Sequence, residues 1–589
     1  MRRLHGGTFL EIETCSLICT RVGPYIKVLT VGIARARQHT IINNQQKVFT
    51  MHLQTCAALS LAELSTILLI QGVPSIHHIL CSYIVLFSLQ YAAVNLYYTF
   101  IFPFYVSSLR YVPGPKDHHS FIGHTLNQFR ANGPYELYLS WSRQWPTAPF
   151  IRYISFANTE TLLVNSLRAH QEVLSTKCYS FVKPPFFARI VGEVTGMGLV
   201  FAEGEEHRKQ RKMLNGIFST PNMKKLLPVV QWHGKCLTQT IDQRIGAETS
   251  AVVEVVSLFS KATLDIIGLI TLGKELDSFT AKPSFHECYD LIFNQSSLSA
   301  LITAVNTYIP LRSWLPLKAN RSFVAANDEV KRILRQQIRL RQQEMASEKT
   351  AAQNSSLPIS RDVLTYLLEA PPSRQQQWTE DELLGYLLNF MSAGHETSAT
   401  TLTWAVHVLS TRPDIQTRLR DEIMTLLPQG GDPDYAQLEG LRYLNNFCRE
   451  VLRVYAPAVM IWRQAAEAVT IENTYIPAGT NVIVSPQVSQ SHPDIWGSSA
   501  ETFEPDRWDS LAPESASPYA FQAFSSGPRV CIGKGLAMLE FKSLLVDIVR
   551  KYAFEAVEEK LVLENYLTLR PKGGLRVKFT IAGEEKRAD

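Results

Sequence analysis

The stretch Phe524-Ser-Ser-Gly-Pro-Arg-Val-Cys-Ile-Gly533 decides how this chain is read. A glycine–proline turn presents one cysteine just before a run in which Ala537, Phe541, Leu544, Leu545 and Ile548 repeat at helical spacing. A helix N-terminus offers unpaired N–H groups and partial positive charge, and both favour a thiolate over a thiol. Gly527 and Gly533 let the backbone approach a large flat ligand closely. Arg529 stands two residues before the cysteine and can hold a carboxylate. A lone cysteine near a helix start carries little weight, since free cysteine is usually buried filler. The ten-residue pattern carries far more.

Three further patterns lie upstream. Ala393-Gly394-His395-Glu396-Thr397 falls mid-way along a predicted helix. That helix opens at the capping box Thr379-Glu-Asp-Glu382 and runs to Thr411, where Arg412-Pro413 stops it. At 1.5 Å per residue it is about 50 Å long and must cross the molecule. Gly394 weakens such a helix by ~1 kcal/mol relative to alanine, so packing or function must account for it. Glu450 and Arg453 sit at i,i+3 and meet on one helix face, and Arg507 follows within Phe503-Glu-Pro-Asp-Arg507-Trp508. Gly204-Glu-Glu-His-Arg-Lys-Gln-Arg-Lys212 places His207 and Arg211 at i,i+4.

In this order the four patterns resemble the signatures of the cytochrome P450 superfamily. Phe524, Gly527, Arg529, Cys531 and Gly533 match every fixed position of its haem-binding motif. The resemblance covers roughly residues 111–583 and implies a mainly α fold with small β-sheets (α+β). It implies haem b as cofactor, with Cys531 as the axial thiolate that pushes electron density onto iron. Phe524, Gly527, Gly533 and Arg529 would line the haem. Glu396 and Thr397 resemble the acid–alcohol pair that relays protons to bound dioxygen, beside the space left at Gly394. Glu450, Arg453 and Arg507 would form a buried charge network behind the cysteine loop. His207 and Arg211 would hold the haem propionates. His207 stands where tryptophan is frequent, and it can still donate a hydrogen bond. Arg463, after Met460-Ile-Trp462, fits another propionate position. Phe186, Phe187, Phe390, Ala393, Val459, Met460 and Leu567 correspond to substrate-contacting segments and are apolar.

The implied reaction is a monooxygenation of a lipophilic small molecule. Two electrons arrive from NADPH through a flavoprotein reductase, one oxygen atom of O2 enters the substrate, and the other leaves as water. Lys209, Lys212 and Lys534 would lie on the thiolate side, where an acidic reductase surface could dock; plain solvation is the alternative. The wording Phe181-Val-Lys-Pro-Pro185 resembles fungal members, many of which serve secondary metabolism on terpenoids, polyketides or alkaloids. A fatty-acid or xenobiotic hydroxylase is an alternative. So are a reductase-independent isomerase or dehydratase and a non-catalytic haem sensor, but the acid–alcohol pair argues against these last two.

The rest of the chain frames that site. Its 589 residues are 46% apolar and 19% charged, an ordinary globular composition. The net charge of +5 sits in residues 1–50, leaving 51 groups of each sign in the other 539. A neutral body gives no support to nucleic-acid binding. The nine cysteines include no Cys-x-x-Cys pair and suggest neither a disulfide framework nor a zinc ribbon. Residues 48–109 hold no lysine or arginine and one acid, Glu63.

Within that window, Ile79–Phe104 is apolar for longer than the ~20 residues a bilayer requires. Tyr91, Tyr97, Tyr98 and Tyr105 supply interfacial aromatics. The expected organisation is a basic extension over 1–50, a weaker apolar segment over 51–78, a transmembrane helix over 79–104, a proline-rich hinge over 105–117 and a haem-thiolate domain over 118–589. The expected location is the endoplasmic reticulum membrane, with one span and a cytosolic catalytic domain. One span would put the basic 1–50 segment in the lumen, against the positive-inside bias. A two-span hairpin resolves this. So does a natural start at Met51 with a non-native extension before it, which is the expectation here. Short strands are expected at Val469–Ile476, Asn481–Val484, Tyr566–Leu567 and Leu575–Phe579. The basic face of Arg312–Arg341 reads as a solvated helix or a contact for anionic lipid.

Overall fold

The computed structural model describes residues 44–582 apart from 72–74, 132, 277, 280–284, 294, 296, 307–311, 313, 352–361, 370–376, 428–430, 559 and 565–567. The basic extension thus lies almost wholly outside the described residues, as do Tyr566 and Leu567. The chain divides into two units at Val94–Asn95.

In the first unit, helix α1 (Asn44–Gln71) carries the weaker apolar segment, and helix α2 (Ile76–Leu96) carries most of the stronger one. Gln90 Nε2 donates to Glu63 Oε2 at 2.7 Å, so the lone acid of the apolar run is partnered. Helix α2 continues as wider π-helical turns over Tyr97–Val106. Pro103 lies inside them, and its missing N–H breaks the ordinary ladder. The 31 residues Ile76–Val106 are long and apolar enough to cross a membrane, and their most apolar stretch buries nothing against protein.

The second unit begins by laying the expected hinge against strand β1 (Phe150–Ile154). Arg152 N donates to Pro113 O at 2.8 Å. A Cβ on Gly114 would come within 1.8 Å of the Arg152 carbonyl oxygen, so only glycine lets the two backbones approach. The segment is thus docked along its proline-rich stretch.

The helices that build the site are α3 (Pro185–Thr195), α4 (Gly204–Leu214), α5 (Thr220–Ile245), α6 (Val255–Leu272) and α7 (Phe285–Phe293). They are followed by α8 (Lys318–Ala351), α9 (Glu380–Thr411), α10 (Arg442–Val454) and α11 (Lys534–Lys551). Helix α9 spans the expected range, and its capping box is formed by Thr379 and Glu382. Helix α6 is as apolar as a membrane span, but 72% of it is buried, and it packs along α9 as a core helix. The basic face of α8 meets the acidic start of α9: Arg339 Nε donates to Glu380 Oε2 at 2.9 Å and Arg335 Nη2 to Asp381 Oδ1 at 2.9 Å.

Five strands form one sheet in the order β1, β2 (Glu160–Val164), β8 (Asn481–Val484), β5 (Ile461–Ala465), β3 (Phe181–Val182). Only the β2–β8 pairing is parallel. A second sheet has the order β4 (Ser250–Glu254), β12 (Arg576–Ile581), β9 (Tyr552–Ala556). Two hairpins complete the set: β6 (Val469–Ile471) with β7 (Thr474–Ile476), and β10 (Leu563–Glu564) with β11 (Arg570–Pro571). The β1–β2 hairpin was not expected. Its turn holds Ala157 and Asn158 at positive φ without a glycine, so it carries no turn signal. The Asn158 amide donates to the carbonyls of Thr99 and Ser120 and holds the turn in place.

Behind the cysteine loop, Glu450 and Arg453 are both fully buried. Arg453 Nε and Nη2 donate to the two Glu450 oxygens at 2.9 and 2.8 Å. Its Nη1 reaches the carbonyls of Gln490 and Ala500, and Nη2 also reaches Thr502. Arg507 Nε and Trp508 Nε1 close the other side of Glu450 at 2.9 and 3.0 Å. Every arm of the network has a partner, so removing one member strands a buried charge. Glu450→Ala is expected to cost ~3–5 kcal/mol in chemical denaturation; a loss below about 1 kcal/mol would show that these charges do not hold the segment.

Candidate active site

The cysteine loop is a short hairpin. Cys531 N donates to Phe524 O at 2.8 Å, Ser525 N to Gln522 O at 2.9 Å and Val530 N to Gly527 O at 3.0 Å. Gly527 has φ +72, and a Cβ there would come within 2.2 Å of the Leu174 carbonyl oxygen. The close approach of the Leu174–Ser175 backbone therefore requires glycine at this position. Gly533 meets nothing closer than the Cys531 Sγ at 3.9 Å and leaves that side open.

Cys531 is accessible although protein atoms crowd closely round its thiol. Burial pushes the thiol up, opposed by the Gly533 N–H and the charges of Arg211 and Lys534. The favourable helix terminus expected from the sequence is thus outweighed, partly because α11 begins only at Lys534. A cation bound at the sulfur would supply the missing stabilisation.

Close to the loop is a crowd of cations. Arg529 donates to the Ala202 carbonyl at 3.0 Å and to Glu203 Oε2. Lys183 Nζ lies 3.4 Å from the other Glu203 oxygen. Burial, and then the Arg529 charge, lower Arg463 to about 10. Burial also lowers Lys183 to about 7, with Arg463 and Arg529 adding to the effect. His207 falls to about 4 through burial and the charges of Arg529, Lys183, Arg211 and Arg463, so it is neutral near pH 7. Its Nδ1 shares a hydrogen with the Tyr179 hydroxyl at 3.1 Å. Arg211 Nη1 donates to Val530 O at 2.6 Å and so touches the cysteine loop directly.

Glu203 is the one carboxylate among these groups, and the buried Arg529 Nε has no partner. A cluster short of anions suits a ligand that carries two carboxylates. Together with the accessible thiol, these residues fit a haem.

Helix α9 opens to one side only. Between Leu383 and Val406 every residue is buried except Ala393, Gly394 and Thr397. Their i, i+1, i+4 spacing makes one narrow face. Thr397 Oγ1 donates to Ala393 O at 2.7 Å. Glu396 points elsewhere: its Oε1 accepts from Thr568 Oγ1 at 3.0 Å and from Arg570 Nη1 at 3.2 Å. No hydrogen bond joins Glu396 to Thr397. Gly394 answers to packing, since a Cβ there would meet Ile267 of α6 at 2.6 Å.

The expected pocket residues are less uniform. Phe186 and Phe187 on α3 are half-buried, edge-on to Trp462 at 5.0 Å and tilted on Phe201 at 5.9 Å. Phe390 stacks on Phe218 and Val459 is buried, so each presents little surface. Met460 is half-buried at the sheet and Ala393 is open.

Lys183, Glu203, Tyr179, Thr568 and Arg570 were missed by sequence reasoning. Lys183 alone had a signal, its place in the Phe181–Pro185 wording. The others reach the site across loops that no local pattern connects to it.

Comparison with known proteins accords with this geometry. A model of the family described as Cytochrome P450 matches residues 113–579. The chain is 32% identical to the cytochrome P450 monooxygenase sphH of Aspergillus fumigatus, over 82% of this chain and 90% of that protein. It is 32% identical to the cytochrome P450 monooxygenase FUM15 of Gibberella moniliformis, over 72% of this chain and 80% of that one. It is 29% identical to the cytochrome P450 monooxygenase ALT8 of Alternaria alternata, over 75% and 84% respectively.

One buried acid ties the two sides of the site. Ser398 Oγ on α9 donates to Glu540 Oε2 on α11 at 2.7 Å, and burial raises Glu540 to about 8. The unfolded chain releases that proton near pH ~4.3. The stability it contributes is complete below that value and is lost as pH rises through about 8. Glu540→Gln is expected to flatten the fall in melting temperature between about pH 5 and about pH 8 relative to the unaltered chain. Parallel pH slopes in both proteins would locate the titration elsewhere.

Proposed function

The chain belongs to the cytochrome P450 family, and from that premise we propose that this monooxygenase oxidises a lipophilic small molecule, with Cys531 as the thiolate ligand and Thr397 and Glu396 managing protons. The observation that supports this best is the pairing of an accessible thiol with a buried helix whose one open face carries Thr397. When bound, haem supplies the activation of dioxygen with two electrons from NADPH, one oxygen atom entering the substrate and the other leaving as water.

The chain's own residues divide the remaining work. Arg463, Arg529, Lys183, Arg211 and His207 hold carboxylates and fix the orientation of the cofactor. Thr397 Oγ1 holds a proton at the open face, where turning away from the Ala393 carbonyl directs it into the groove. Glu396 supplies that hydroxyl after leaving Thr568 and Arg570. Phe186, Phe187 and Met460 present apolar surface that excludes water and favours a lipophilic substrate. The fungal wording at Phe181–Pro185 supports a terpenoid, polyketide or alkaloid. Exposed Lys209, Lys212 and Lys534 form a docking surface for an acidic NADPH-dependent reductase. The exposed apolar stretch Ile76–Val106 supports anchorage in the endoplasmic reticulum membrane with the catalytic unit in the cytosol.

NADPH consumption with reductase and a lipophilic substrate should yield an oxygenated product; full turnover on peroxide alone would overturn the reading. Cys531→Ala should abolish the red-shifted carbon monoxide band of thiolate-ligated haem, and a surviving band would refute the ligand assignment. Thr397→Ala should keep haem while product per NADPH falls at least about tenfold, the electrons leaving as hydrogen peroxide. An unchanged yield would count against the proton role.

A further inference from the structure

The groove at Thr397 depends on how α9 is rotated about its own axis, and α9 is poorly equipped to fix that by itself. Gly394 weakens it locally. Ser392, Thr397, Thr401 and Thr403 all turn their hydroxyls back onto carbonyls four residues earlier, at 2.6 to 2.8 Å. Such back-bonding tends to bend helices. A side-chain hydroxyl lies ~5 Å from a helix axis, so a rotation of ~20° moves it by ~2 Å. Displacements of ~1 Å can cost ~10²-fold in rate.

Helix α6 grips the two residues just ahead of Glu396 and Thr397. Ser260, Thr263 and Ile267 stand at i, i+3 and i+7, one face of the helix. Ile267 fills the space where a Cβ on Gly394 would be, 2.6 Å away. Thr263 Oγ1 donates to the backbone carbonyl of His395 at 3.0 Å, with its own Ser260 carbonyl at 3.3 Å. Ser260 Oγ lies 2.6 Å from His395 Nε2 and 3.0 Å from His286 Nε2.

The His395 ring is 2% exposed, and Tyr289 and Phe293 of α7 stand edge-on to it at 5.7 and 6.2 Å. Its Nδ1 is buried without a partner. A stranded N–H costs more than a stranded lone pair, so His395 donates through Nε2 to Ser260, and Ser260 donates onward to His286. Burial keeps His395 neutral.

We propose that Ser260 and Thr263 are positioning residues for Thr397: with Ile267 they clamp Gly394 and His395 and set the rotation of α9 that opens Thr397 to the groove. The proposal rests on the reading of Thr397 as the proton-holding group. Ser260 and Thr263 contact His395 and not Thr397 itself. Their effect passes through the backbone, and it governs whether the two electrons from NADPH end in product or leave with O2 and two protons as hydrogen peroxide.

The test uses the full-length holoenzyme with reductase, reading product and peroxide per NADPH alongside haem content, the carbon monoxide band and melting temperature. Thr263→Val should lower product per NADPH about threefold or more, with peroxide rising to match and the carbon monoxide band unchanged. Thr263→Ser should restore coupling. In the Thr397→Ala background, Thr263→Val should add nothing. Unchanged coupling in Thr263→Val, or an additive loss in the double variant, would overturn the clamp. If Thr263→Val fails to incorporate haem, Ser260→Ala, which breaks the ring contact and not the backbone one, carries the same expectation. Should Thr397→Ala itself leave the yield unchanged, the proton reading falls and the clamp with it. If Thr397→Ala lowers the yield and neither α6 variant does, only the clamp falls.

Discussion

The structure depends on burying α9. A helix of 32 residues crossing the body must find apolar partners all round, because polar side chains in its interior would each need a hydrogen bond. The hydroxyls of this helix meet that demand mostly by turning onto its own carbonyls, and Glu396 and Ser398 by reaching other elements. Once α6 and α11 are packed along it, the one place left uncovered between Leu383 and Val406 is the narrow face of Ala393, Gly394 and Thr397. The opening exists because everything else is closed.

Two buried charge clusters stand near that helix, and they differ in completeness. Glu450, Arg453, Arg507 and Trp508 satisfy one another and the carbonyls around them, so the cluster is at rest. The group around Glu203 is not. Lys183, Arg463 and Arg529 share one carboxylate, and burial and mutual repulsion lower Lys183 and Arg463 from their ordinary ranges. A complete network needs no further partner, whereas an incomplete one would be relieved by a ligand's carboxylates. That contrast separates the two groups of arginines more sharply than burial does, since Arg453 and Arg463 are both buried.

Legibility from the sequence followed the length scale of the signal. The long helix was readable at both ends, because a capping box and an Arg-Pro stop are local chemistry. The i,i+3 pair Glu450–Arg453 was readable for the same reason. The β1–β2 hairpin was not, since its turn relies on Asn158 reaching the carbonyls of Thr99 and Ser120 and not on a glycine. Nor were the partners of Glu396: Thr568 and Arg570 lie more than 170 residues downstream, and a tertiary contact leaves no periodicity.

Gly394 and Gly527 show the limit most clearly. Both sit in motifs whose chemistry concerns a ligand, and both invite the reading that a missing side chain makes room for it. Protein also stands close to each: Ile267 against one, the Leu174 carbonyl against the other. The two glycines act at one remove. They let α6 and the Leu174–Ser175 backbone pack closely against α9 and the cysteine loop. A substitution at either would strain the packing before it touched any ligand. Contacts of this kind join elements far apart in the chain, which is why the residues that make them lie outside the local motifs.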